Sequence, residues 1–276
     1  MASQSSGALG APVARWYKRA MWPVRASRRF LPLLAFGLAV WLTLGAGPVR
    51  AQTVRLAAPE YPPYTSEVNG EAVGIAVDLV EKIMRQAGLR MEAHVVPNYS
   101  RCVFEVSHQI ADGFFLGSRN SERDAVAVMT APVMINRWIW VVRGGSAVNP
   151  ETSAFKQHGS VGVLLNTNPH VWLKSKGYTI TGTPTSGVSL LAMLDAGRFD
   201  AALVPELVFQ HFVQQTGRAA SQYRSSLHSS QDFGIYLAKD YLRAHPGLLE
   251  RINAAIAVVT SEAARGSGKK TVPAKP

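Results

Sequence analysis

The stretch Thr53-Val54-Arg55-Leu56-Ala57-Ala58-Pro59-Glu60-Tyr61-Pro62-Pro63-Tyr64, followed by Gly74-Ile75-Ala76-Val77-Asp78-Leu79, carries the reading of the fold. Residues 53–58, β-branched or apolar apart from Arg55, predict a strand. Pro59 to Asn69 holds three prolines and two tyrosines and predicts a loop. Ile75, Leu79, Ile83 and Met84, with Val80 and Ala87 beside them, predict an apolar face at helical spacing, and Gly88 predicts its stop.

Outward from this unit the same alternation continues. Met91 to Val96 predicts a strand, Cys102 to Ile110 a helix, Asp112 to Leu116 a short strand and Trp138 to Val142 a further one. The pattern then restarts: strand Val161 to Leu164, helix His170 to Ser175, strand Tyr178 to Thr181, and a helix lined by Val188, Leu191, Ala192 and Leu194. Strand Ala201 to Val204, helix Glu206 to Gln215, strand Phe233 to Ala238 and helix Leu248 to Val259 complete it. Strands alternating with helices imply largely parallel sheets covered on both faces. Two such runs, with Gly144-Gly145 near their junction, predict an α/β protein of two lobes.

Charge is distributed unevenly. The chain of 276 residues carries a net charge of +11, which by itself would suggest a polyanionic partner. Residues 1–51 hold seven basic residues and no acid, and four more basic residues follow residue 263. The remaining 18 of 29 Lys and Arg face all 18 Asp and Glu, so the body is neutral and gives no footprint for nucleic acid. The basic leader runs into the apolar segment Phe30 to Leu44, and Val49-Arg50-Ala51 offers a small-x-small cleavage site, the pattern of a cleaved signal peptide over 1–51. Arg28-Arg29 makes a partial twin-arginine signal. The only cysteine, Cys102, can form no intramolecular disulfide and cannot carry a lipid at a mature N-terminus. A freely soluble periplasmic protein is the expectation, with a disordered basic tail over 265–276.

Four stretches, taken together and in order, resemble the family-3 extracellular solute-binding proteins, the polar amino-acid receptors of ABC importers. They are Tyr61-Pro62-Pro63-Tyr64 with Gly74 to Leu79; Asp112-Gly113-Phe114 with Ser121-Glu122-Arg123; Leu194 to Ala202; and Phe233 to Asp240. The resemblance spans about Thr53 to Val259. It implies a two-lobed α/β periplasmic-binding-protein fold (type II) with a two-segment hinge, lobe 1 being 52–142 plus 231–264 and lobe 2 being 143–230. It implies a monomer that captures a small polar carboxylate-bearing ligand and hands it to an ABC permease.

Site residues follow from the same resemblance. Arg123 matches the arginine that grips the ligand carboxylate, a task suited to a planar guanidinium with parallel donors. Ser118 and Gly117 lie where the family supplies a hydroxyl or a close backbone. Asn166 and Thr167 precede a helix start, where free N–H groups suit an anion. Tyr61 and Tyr99 fall where rings cover the ligand. Two departures stand out: Leu116 replaces a small polar residue, and Pro205 stands where amino-acid receptors carry the acid that pairs the ammonium. Glu206, one place later, is a candidate replacement, and Glu60 a weaker one.

Rival readings are a sensory or accessory binding protein without an importer, a cleft that has lost its ligand, and an enzyme resembling cyclohexadienyl dehydratases. The last needs a proton donor; His94, His108, His158, His170 and Glu206 qualify by type only. With no His-Glu-x-x-His, no Gly-x-Ser-x-Gly and no phosphate-binding glycine loop, no metal, cofactor or hydrolytic activity is expected.

Overall fold

A computed structural model describes residues 51–268. The expected signal peptide falls, apart from Ala51, outside the described residues, as does the tail from 269 onward. Residues 265–268, expected in the tail, continue the last helix.

The first half begins with β1 (Gln52–Pro59), the hairpin β2 (Ser66–Val68) and β3 (Glu71–Val73), and helix α1 (Ile75–Gln86). Next come β4 (Leu89–Val96), α2 (Tyr99–Ser107), β5 (Gly113–Gly117), α3 (Ser121–Val126) and β6 (Ala127–Met129). The second half holds β7 (Met134–Arg143), α4 (Ser153–His158), β8 (Ser160–Gly162), α5 (Asn168–Ser175), β9 (Thr179–Gly182), α6 (Gly187–Asp195), β10 (Ala201–Pro205) and α7 (Glu206–Gln215). The long strand β11 (Tyr223–Ala238) then leads into α8 (Lys239–Ala244) and α9 (Leu248–Gly268).

Nine of these strands form one curled sheet in the order β4-β1-β5-β11-β7-β10-β8-β9, with β6 added on β11, and β2 and β3 pair separately. β1 lies parallel to both β4 and β5, and Val54, Leu56, Ala57 and Ala58 are buried, the near-continuous apolar run that a central parallel strand requires. The apolar face of α1 comprises Ala76, Val77, Val80, Ile83 and Met84, and packs against α9 and β4. That face is rotated from the predicted one: Ile75 is 44% exposed. Gly74 begins the helix at φ 128°, and a Cβ there would stand 2.3 Å from the Tyr64 carbonyl oxygen. The local chain therefore needs glycine.

β11 joins the halves. Its first part, Tyr223 to Phe233, pairs antiparallel with β7, and its last part pairs with β5 and β6. β7 also pairs with β10, from Ala202↔Val141 to Pro205↔Trp138. β7 therefore belongs to the second half-sheet, whereas the expected boundary at residue 142 assigned it to the first lobe. The chain crosses between halves near Thr130–Val133 and again at Phe233–Gly234, where Val133 N–H donates to Phe233 O at 2.7 Å and Gly234 faces Gly117. Gly144-Gly145 is the turn at the far end of β7, not a junction.

Side chains alternate across β7. Ile139 and Val141 join the larger core beneath α6 and α7, continuous with the core of the first half. Trp138, Trp140 and Val142 face the other way, into a separate core with Phe155, Val161, Leu173 and Leu203. This alternation decides which residues reach the cleft.

Candidate functional site

The first half contributes a buried cation. In Asn120-Ser121-Glu122-Arg123, the Asn120 side chain caps α3 by accepting the Arg123 N–H at 2.8 Å. The capped turn directs the Arg123 side chain inward, where it is 3% exposed. Its Nη1 donates to Ser118 O at 2.8 Å, and its guanidinium carbon lies 4.3 Å from the Tyr99 ring centroid. Tyr99 is held by its own hydroxyl, which donates to Leu116 O at 2.6 Å. No ion pair among the described residues includes Arg123. Burial pushes its pKa down, but guanidinium does not lose its proton in proteins, so the charge remains with no counter-charge in contact, Glu122 being the acid that acts on it from further off.

The second half contributes α5. Thr167 stands at its N-cap and donates its hydroxyl to Leu164 O at 2.8 Å. Asn166 takes the left-handed conformation at φ 58°, and its N–H donates to Nδ1 of His170 at 3.2 Å. That bond requires the Nδ1 lone pair, and burial, then Lys174, pulls the His170 pKa down. His170 is thereby a neutral ring with its proton on Nε2. Asn168 reaches across the cleft: its Nδ2 donates to Ser118 O (2.9 Å) and Arg119 O (3.2 Å), and its Oδ1 accepts from Asn120 Nδ2 (2.6 Å).

Three cavities lie along this contact. The innermost, of about 10 Å³, is lined by Arg123, Tyr61, Tyr99, Asn136, Thr167 and Asn168 among others. It has room for about one water. One of about 50 Å³ opens beside Glu60, Tyr61, Tyr99, Asn166 and Thr167. One of about 120 Å³ lies on the far side of Arg123, with Asn120, Glu122, Asn166, His170 and Lys174. A larger ligand enters the innermost space only with the halves apart, and the two strand crossings are the places about which they can part.

Tyr61, Tyr99, Arg123 and Thr167 thus meet around one cavity, and Asn166 borders the two beside it. Tyr61 packs edge-on to Tyr99 with centroids 5.6 Å apart. Ser118 touches the site through its carbonyl, which accepts from Arg123 and Asn168; its buried Oγ has no partner among the described residues. Gly117 serves packing. A Cβ there would meet the rings of Phe114 and Tyr236 at 2.9 Å, and those rings stack 4.8 Å apart. Glu206 is drawn elsewhere: its Oε2 lies 3.2 Å from Nε of Arg137, and it lines none of the three cavities.

Sequence reasoning missed two residues. Asn136, 2% exposed, lines the innermost cavity from β7 with its Oδ1 unpartnered among the described residues. Asn168 opens α5, and its place as a cross-cleft bridge shows only when the halves are brought together.

Two strand-helix halves joined by paired crossings, with a buried cation between them, define the architecture. It is the two-lobed periplasmic-binding-protein fold. The chain is similar to a histidine kinase sensor domain with similarity to periplasmic binding proteins, at TM-score 0.67 and 19% identity over 79% of this chain and 94% of that one. It is also similar to the arginine-, lysine-, histidine-binding protein ArtJ from Geobacillus stearothermophilus, at TM-score 0.63 and 18% identity over 81% and 96%. An ArgBP mutant from T. maritima superposes at TM-score 0.61 and 21% identity over 76% and 90%. These resembled structures are binding proteins or a sensor, and the likeness is one of fold. No family model and no curated protein matches the chain.

Proposed function

We propose that this chain is a periplasmic solute-binding protein that closes on a small ligand through its carboxylate, and that it binds without turnover. One observation carries the reading: Arg123 is 3% exposed between the halves and is contacted by a backbone carbonyl and an aromatic face, with no acid within ion-pair distance and Glu122 acting only from further off. A buried charge left unpaired is costly, and a ligand carboxylate supplies the missing partner with bidentate geometry. The reading without turnover is supported by the likeness in fold to binding proteins and a sensor.

Delivery to an ABC permease is the leading role, in keeping with the amino-acid-binding proteins of the same fold. The likeness to a kinase sensor domain favours sensing as the second reading. A deletion strain separates the two: loss of ligand uptake supports import, and intact uptake with lost ligand-dependent gene induction supports sensing. The basic, acid-free leader supports export; cell fractionation with N-terminal sequencing should give a mature chain starting at Gln52.

The binding claim is tested by thermal shift of the purified protein against amino acids, their deaminated acids, short dicarboxylates and polyamines. A ligand at a hundred times its Kd adds about 2.7 kcal/mol, roughly 5–10 °C here. Stabilisation by a carboxylate and none by polyamines is expected. No shift with any carboxylate would sink the proposal.

A further inference from the structure

We propose that the ligand is a small 2-hydroxy carboxylate rather than an amino acid, with its carboxylate on Arg123 and its hydroxyl donating to Oδ1 of Asn136. The proposal rests on the reading of Arg123 above and names the ligand class of that site. Asn136 is 2% exposed, lines the same innermost cavity as Arg123, and carries a buried amide oxygen with no partner among the described residues. Such an acceptor calls for a donor. Arg123 and Asn136 line one and the same cavity, so a carboxylate on the first and a donor to the second stand close together on the ligand once the halves part to admit it.

The charge of that donor follows from what surrounds it. Arg123 already fills the cavity with one positive charge, and no carboxylate lines it. An ammonium would add a second buried positive charge and meet only a neutral amide. A hydroxyl matches that amide without introducing charge.

The acids that could answer an ammonium are placed elsewhere. Glu206 lies with Arg137, whose side chain leaves β7 on the face opposite Asn136. Pro205 pairs with Trp138 in the strand and offers no charge. Glu60 borders the outer cavity and Glu122 the one beyond Arg123. Asn136 is therefore the specificity-determining residue, and an asparagine there selects a neutral donor.

The test is titration calorimetry of the purified protein with propionate, the two lactate enantiomers and L-alanine, which share a carbon skeleton and differ at carbon 2. One lactate enantiomer is expected to bind at least tenfold more tightly than propionate and than alanine. In Asn136→Leu, lactate should fall to the affinity of propionate, with propionate itself within threefold of its original value. Asn136→Asp supplies a second variant should the first not fold; it places an acid beside Arg123 and should shift preference from lactate to alanine. Alanine as the tightest ligand of the parent protein, with binding lost in Arg123→Met, would overturn this inference and leave the carboxylate-binding reading intact. An unchanged lactate-to-propionate ratio in Asn136→Leu would also overturn it. No binding by any member of the series would overturn the inference, and the carboxylate-binding reading would then fall only if the wider carboxylate panel also gave no thermal shift.

Discussion

The outer groove beside Arg55 and the cleft beside Arg123 each centre on an arginine, and they differ in what answers its charge. The groove is the larger space, about 350 Å³ against about 10 Å³ in the innermost cleft. Yet Arg55 is satisfied: its Nη2 and Nε meet the two oxygens of Asp112 at 2.7 and 3.2 Å, and half its side chain is in solvent. The hydrogen bond to Asp112 raises the Arg55 pKa, whereas burial lowers that of Arg123. Volume marks where a molecule could rest, and an unanswered buried charge marks where a particular one is required. Arg137 makes the same contrast a second time, since Glu206 neutralises it on the opposite face of β7.

Substitutions that separate answered from unanswered charges test this comparison. Arg123→Met should have the largest effect, weakening carboxylate binding roughly 30- to 1000-fold, about 2–4 kcal/mol, in titration calorimetry. Asn168→Ala removes three cross-cleft hydrogen bonds and should weaken binding about tenfold, mainly through faster dissociation in stopped-flow. A normal off-rate would mean the bridge does not hold the closed state. Glu206→Gln should leave affinity within twofold. A tenfold loss there would bring Glu206 into the site and erase the contrast. Arg55→Ala should leave affinity unchanged and lower stability to urea by about 1 kcal/mol, because the Arg55 side chain is half in solvent and the N–H of residue 55 still donates to the more buried Asp112.

The alternation of strand and helix was legible because burial imposes its period on sequence: β1, α1 and β10 carry apolar patterns that match their surroundings. The long strand β11 was not. Its first ten residues, Tyr223 to Asp232, are polar apart from Tyr223 and Leu227 and largely exposed, so hydrophobic patterning is silent, and pairing with β7 is what makes them a strand. The start of β7 was hidden for a related reason: Asn136 and Arg137 look like connection residues until Asn136↔Gln231 fixes the register. Arg123, Tyr61 and Tyr99 were reachable because short motifs place them. Asn136 and Asn168 act through faces and halves that meet only in three dimensions. Glu206 looked available because sequence adjacency to Pro205 says nothing about which face of β7 its partner Arg137 occupies.

The central claim is that the Arg123 charge is retained for a ligand at a cost to the free protein, and melting Arg123→Met beside the parent tests it most directly. The account predicts that the unliganded variant melts at the same or a higher temperature, since an apolar chain of similar length replaces an unpaired buried charge, and that carboxylates no longer raise it. A variant that melts lower and is still stabilised by carboxylates to the same extent as the parent would contradict it.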